Sequence, residues 1–133
     1  MKMLHENTLL IRDENSFGSV YNELKLSFDK VQVSIQDIIT ERVYQEVVKY
    51  NHRAPEYKYS LVNPKEDEVL LNKPQKKHQV NSEKQVEVAL KAFDSNGFFI
   101  LIDEIQAEAL EQLVTIKPDT KVGFIKLTQL VGG

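Results

Sequence analysis

A chain of 133 residues has room for one hydrophobic core and little more, so a single domain is expected over residues 1–133. Its 41% hydrophobic and 28% charged residues are those of an ordinary globular protein, and its net charge of -3, from 17 basic and 20 acidic side chains, gives no footprint for nucleic acid. No apolar stretch approaches the roughly 18 to 20 residues of a membrane-spanning helix; the amino end has no signal-peptide core and there is no cysteine for a disulfide or thiolate, which together point to the cytoplasm.

Leu9-Leu10-Ile11, with Asn7 before it and Asp13-Glu14-Asn15 after it, suits a short buried strand closed by turn residues, although so short a run also fits a helix. Beyond a loop containing Gly18, residues 21–28 alternate. Leu24, Leu26 and Phe28 fall on one side while Glu23, Lys25 and Ser27 fall on the other, the period-2 pattern of a strand with one buried face. The two strands are expected to form an amino-terminal hairpin whose register the alternation fixes.

Ser34 followed by Asp37 has the spacing of a capping box, with Asp in place of Glu, and Val33 is placed to staple onto Ile38. A helix is therefore expected from this point. Ile35, Ile39, Val43, Val47 and Tyr50 make its apolar stripe, and Glu41, Arg42, Gln45, Glu46 and Lys49 are assigned outside it. Asn51 and Pro55 end it.

From residue 52 to about 80 the periodicity dissolves. Pro55, Pro64 and Pro74 interrupt a polar run with two short apolar patches, residues 57–62 and 69–71, and a basic run at Lys73, Lys76, Lys77 and His78. This reads as an insertion, either with a hairpin of its own or as a loop, and the basic run reads as solvated.

Ser82 and Gln85 repeat the capping-box spacing. Val86, Ala89, Leu90 and Phe93 then form a second helical stripe, which Asn96-Gly97 stops with left-handed residues. Phe98–Ile102 is a run of five apolar residues that suits a strand buried on both faces. Residues 103–113 read as a polar connector in which Ile105, Leu110 and Leu113 make a helical turn or two. Lys117-Pro118-Asp119-Thr120 is a turn, and residues 122–127 are the last strand.

A search for chemistry finds little. His5, His52 and His78 have no metal-ligand spacing, and Gly18, Gly97, Gly123, Gly132 and Gly133 form no phosphate-binding loop. The acids Asp103-Glu104 and Glu66-Asp67-Glu68 sit in polar stretches where solvation is expected. The chain is accordingly expected not to be an enzyme and to use no cofactor. What remains is Leu130-Val131-Gly132-Gly133, a few residues beyond an apolar strand. A carboxyl group activated as an acyl-adenylate must enter a narrow site, and two glycines allow close approach because they lack a Cβ.

The order of hairpin, capped helix, strand, connector with a turn, last strand and Gly-Gly resembles the ubiquitin-like β-grasp proteins and the bacterial sulfur carriers of the molybdopterin and thiamine pathways. The resemblance covers residues 7–51 and 98–133; the insertion at about 52–96, with its extra helix, has no counterpart in ubiquitin. It implies an α+β fold in which one main helix crosses a mixed sheet whose first and last strands lie side by side at its centre. It also implies that Gly133 is adenylated and that Gly132, Val131 and Leu130 thread into an activating enzyme that uses ATP. Long-insert chains of this kind are similar to ubiquitin-like proteins of bacterial gene clusters that carry activating enzymes, conjugating enzymes and deubiquitinase-like peptidases, some linked to phage defence. The expectation is a protein modifier joined to an amine on a target protein. A sulfur carrier with a thiocarboxylate at Gly133 and a non-covalent module that binds a partner or other copies of itself are the alternatives, and the apolar patches of the insertion suggest self-association.

Overall fold

A computed structural model describes residues 7–53 and 81–126 of the chain. The apolar patches at 57–62 and 69–71, the three prolines and the basic run of the insertion, and the tail from 127 to 133 lie outside the described residues. In chain order the elements are β1 (Asn7–Glu14), β2 (Val20–Phe28), β3 (Gln32–Ser34), α1 (Ile35–Arg53), α2 (Ser82–Asp94), β4 (Phe98–Ile102), β5 (Ile105–Gln106), β6 (Leu113–Thr115) and β7 (Lys121–Lys126). The main sheet has the order β2-β1-β7-β4-β5, with β1 and β7 parallel and every other pair antiparallel. The architecture is α+β and β-grasp-like: a mixed five-stranded sheet, one main helix, and a second helix contributed by the inserted segment.

The expected hairpin forms with Leu9 opposite Leu26 and Ile11 opposite Leu24, as the alternation requires. β1 is longer than Leu9-Leu10-Ile11, however, and runs through Asp13-Glu14, which the sequence suggested as turn residues. The turn proper is Asn15 to Ser19, where the Asn15 side chain accepts hydrogen bonds from the amides of Phe17 and Ser19 and Gly18 takes φ +88. Such a conformation is open to glycine at no steric cost.

Helix α1 begins where its cap demands. The Asp37 amide donates to Ser34 Oγ at 3.0 Å and the Ser34 amide donates to Asp37 Oδ2 at 3.0 Å, so both halves of the capping box are closed. Val33 and Ile38 are both buried, as a staple requires. Two further amides of the first turn, Ile35 and Gln36, donate to the carbonyls of Gln112 and Leu110, which answers the orphan donors of a helix start. Replacing Ser34 by Ala is expected to cost about 1 kcal/mol of stability. Urea unfolding at unchanged slope would read this as a lower midpoint, and a midpoint equal to that of the parent would contradict it. The helix runs past Asn51 to Arg53, two residues before Pro55.

The connector between β4 and β7 corrects the sequence reading. In place of a helical turn it forms two short strands: β5 returns on β4, and β6 pairs with β3 through Val33 opposite Val114. Asp103 and Glu104 have φ +50 and +73 between the paired residues Ile102 and Ile105, the geometry of a two-residue hairpin whose twist matches its strands. Ile105 and Leu113 are exposed, while Leu110 packs at the margin of the core. The turn at 117–120 forms as expected, with the Thr120 amide donating to the Lys117 carbonyl and the Lys117 amide to Thr120 Oγ1.

Helix α2 is capped by Asn81, not by Ser82: Asn81 Oδ1 accepts from the Lys84 amide at 3.0 Å, and Gln85 is buried. Ala89 and Phe93 are buried and Val86 and Leu90 pack against the core, as the stripe predicted. At its end Asn96 alone takes the left-handed conformation, φ +62. Gly97 is needed for room, since a Cβ there would lie 3.2 Å from the Ala92 carbonyl oxygen. β4 departs from the expectation of two buried faces: Phe98 and Ile100 are buried, whereas Phe99 and Leu101 on the opposite face are half-buried.

Candidate functional site

β7 lies between β1 and β4, so it is paired along both edges. Its register sets Ile125 beside Glu14, and Lys126 beside Phe98. The carboxyl end of β7 therefore lies where β1 ends and β4 begins. Lys126 is the last described residue, and Leu130, Val131, Gly132 and Gly133 lie outside the described residues; the site residues read from the sequence are not placed in relation to one another.

Beneath this end lies a group of charges the sequence reading missed. Asp13, Arg42 and Glu46 are each 0% exposed. Arg42 grips Asp13 with both terminal nitrogens, Nη1 to Oδ1 at 2.6 Å and Nη2 to Oδ2 at 2.7 Å, and its Nε donates to Glu46 Oε2 at 2.7 Å. Asn22 Nδ2 adds a bond to Asp13 Oδ2 at 2.9 Å. The planar guanidinium suits this task because its donors form a fixed fork that matches a carboxylate. Burial acts against the charged guanidinium, but the hydrogen bond to Asp13 and the charges of Glu46 and Asp13 outweigh it and raise its pKa above the ordinary arginine range. Arg42 is cationic at every pH at which the protein is folded.

The guanidinium also lies over the ring of Phe124, 4.7 Å from its centroid, a cation–π arrangement. Phe124 in turn stacks on Phe98 at 5.6 Å and 14°, and Phe98 meets Phe93 at 5.9 Å and 57°. A charge-and-ring column thus runs from α1 through β7 and β4 to α2. Lys126 closes it on the tail side. It follows Val122 and Phe124 on the inward face of β7 and is half-buried. Its pKa is held below the ordinary lysine value, first by burial and then by the charge of Arg42, with Glu46 and Asp13 opposing.

Arg42 and Glu46, expected outside the helical stripe, are fully buried on the inward side of α1. Both fall three residues after a stripe position, Ile39 and Val43, so the helical period alone sets them on the inward face. Their charge argued the other way, because Arg and Glu are almost never fully buried unless paired. Asp13 follows Leu9 and Ile11 at spacings of two, so strand alternation carried the same signal. Gln45 and Glu41 are half-buried and Lys49 is exposed.

Chemically the cluster is a clamp. Its two carboxylates share one guanidinium and are sealed from solvent. Among the described residues no group of histidine, aspartate and glutamate side chains could hold a metal ion, and no helix is long and apolar enough to cross a membrane. The acids Asp103 and Glu104 are exposed on their hairpin, where Asp103 Oδ1 accepts from the Lys121 amide. No family model matches the chain, and neither the curated proteins nor the solved structures contain a match to it.

Proposed function

We propose that the chain is a ubiquitin-like protein modifier whose Gly133 carboxyl group is the point of attachment. The observation that carries this reading is the placement of β7: a strand paired on both sides and clamped at its carboxyl end is followed, three residues on in the sequence, by Leu130-Val131-Gly132-Gly133. A tail offered to an enzyme needs a fixed origin and an unencumbered end. The central strand supplies the first, and two residues without Cβ supply the second.

In the proposed sequence the Gly133 carboxylate attacks the α-phosphorus of ATP and expels pyrophosphate, giving an acyl-adenylate. An enzyme thiolate then displaces AMP to form a thioester. A target amine displaces the thiol, loses its proton, and forms an amide. The partners required are an activating enzyme, a conjugating enzyme, a peptidase able to cleave the product, and an amine-bearing target. A role in bacterial antiphage defence rests on the same resemblance and on nothing further in the chain.

The test is incubation of the protein with ATP and a bacterial ubiquitin-type activating enzyme. An enzyme-linked thioester is expected, and deletion of Gly133 is expected to abolish it; transfer by the deletion variant at the parental rate would remove the basis of the proposal. Mass spectrometry of protein from its native host supplies a second reading. Isopeptide-linked conjugates support a modifier, whereas a thiocarboxylate at Gly133 replaces that conclusion with sulfur transfer.

A further inference from the structure

We propose that the outer edge of β2 is a docking surface for a second copy of this chain, the two β2 strands pairing antiparallel about Leu24 so that their sheets become continuous. β2 is an outer strand nine residues long, and among the described strands it pairs only with β1; the opposite edge, β5, has two residues. An edge of this length is a template for further pairing unless charge, proline or a bulge blunts it; the ladder of β2 with β1 is irregular only at its amino end, opposite Asp13 and Glu14. β2 holds no proline, and its charges select a register.

The main chain of β2 shows which groups face outward. Gln45 Nε2 donates to the Lys25 carbonyl at 3.1 Å, which places that carbonyl off the edge, away from β1. By the alternation of an antiparallel ladder the main-chain groups of Glu23 and Ser27 point the same way. A symmetric pair must set these outward residues opposite one another. Centred on Glu23 or on Lys25, the pairing places like charges face to face. Centred on Asn22 or Leu26, it forms no ion pair. Centred on Leu24, it places Glu23 of each copy opposite Lys25 of the other, so that four main-chain hydrogen bonds and two cross-strand ion pairs form together. Leu24, half-buried in one copy, meets its own equivalent on the helix side of the joined sheet.

Helix α1 repeats the pattern. Glu41, Gln45 and Lys49 are spaced by four and form one ridge, and Gln45 fixes that ridge beside the β2 edge. The same two-fold turns this ridge of one copy towards that of the other. The bond from Gln45 to the Lys25 carbonyl is exchanged for the bond between chains. Nothing in this pairing depends on the chemistry of the tail.

Sedimentation equilibrium of the full chain over a range of concentrations tests the proposal. A concentration-dependent dimer is expected. Lys25→Glu, which leaves the Arg12–Glu23 pair of 3.4 Å in place, is expected to weaken it about tenfold, the effect of opposing like charges at two positions. The exchange Glu23→Lys with Lys25→Glu restores the dimer; within each copy it trades the exposed Arg12–Glu23 pair for two cations opposite one another, a small cost at the solvated surface that is equal in monomer and dimer. Because the chain has no cysteine, Leu24→Cys gives a separate readout: the residues facing at the two-fold lie about 4.5 Å apart in such a ladder, within disulfide reach, and oxidation is expected to yield a covalent dimer. A monomer at all concentrations, or a dimer indifferent to the charge reversals and without the cross-link, overturns the assignment.

Discussion

Arg42→Met is expected to destabilise the fold by about 3–5 kcal/mol, because it strips two buried carboxylates of the cation they share. Methionine fills a similar volume, so the loss measures charge more than cavity. Asp13 and Glu46 are fully buried, and each takes a short hydrogen bond from this one guanidinium. Thermal unfolding would register the change as a fall of roughly 10 °C or more in midpoint. The companion variant replaces all three residues, Asp13→Leu, Arg42→Met and Glu46→Leu. It is expected to recover most of the loss, since removing a whole buried ionic group spares the desolvation of every member. An Arg42→Met protein within about 1 kcal/mol of the parent would show that the cluster behaves as a surface ion pair does, contrary to its burial.

Phe124→Ala is expected to cost about 3–5 kcal/mol, the range for deleting a buried aromatic side chain. Phe124 is 0% exposed in the central strand β7. Its ring is held between the Arg42 guanidinium and the ring of Phe98, so the deletion opens a cavity and removes both face contacts. Phe124→Leu separates the two losses. It keeps much of the volume but has no π face for the cation, an interaction worth about 2 kcal/mol when desolvated. Urea unfolding should therefore rank parent, Leu and Ala in that order. Equal stability of the Leu variant and the parent would show that the guanidinium gains nothing from the ring. Amide exchange adds a spatial readout: the amides of β7, paired on both sides, are expected among the slowest to exchange in the parent and the most accelerated by Phe124→Ala.

These effects converge on the end of β7 because that is where four elements meet. Asp13 comes from β1, Arg42 and Glu46 from α1, Phe124 and Lys126 from β7, and Phe98 from β4. Under the proposed function this junction is what holds the origin of the tail in place, so a loosened β7 would present Gly132-Gly133 less reproducibly to an activating enzyme.

Much of the fold was legible in the order of residues. The alternation Leu24, Leu26, Phe28 set the hairpin register, and the Ser34–Asp37 pair set the first turn of α1, because both signals are local and each has one physical reading. The connector was misread for the same reason: Ile105, Leu110 and Leu113 are too few to define a period, and the strands β5 and β6 exist only through partners at Ile102 and Val33, far from some of them in sequence. The cap of α2 was misplaced by one residue because Asn81 and Ser82 are both good capping residues, and only the backbone geometry selects between them.

The ionic clamp is the clearest division between the two levels. Helical and strand periods by themselves aim Arg42, Glu46 and Asp13 inward, but a charge aimed inward is stable only if its partners arrive, and Asp13, which takes both terminal nitrogens of Arg42, is 29 residues away in sequence. By itself, then, the sequence determined the amino-terminal hairpin, the two helices and their apolar stripes, the strands β4 and β7, and the Gly-Gly segment that follows the last strand. The resemblance implied that the first and last strands lie side by side at the centre, and β1 and β7 do; tertiary structure alone decided that three charges could be sealed beneath them and that β2 was left at the edge. These depend on which distant segments meet, and on the free energy of pairing them away from water.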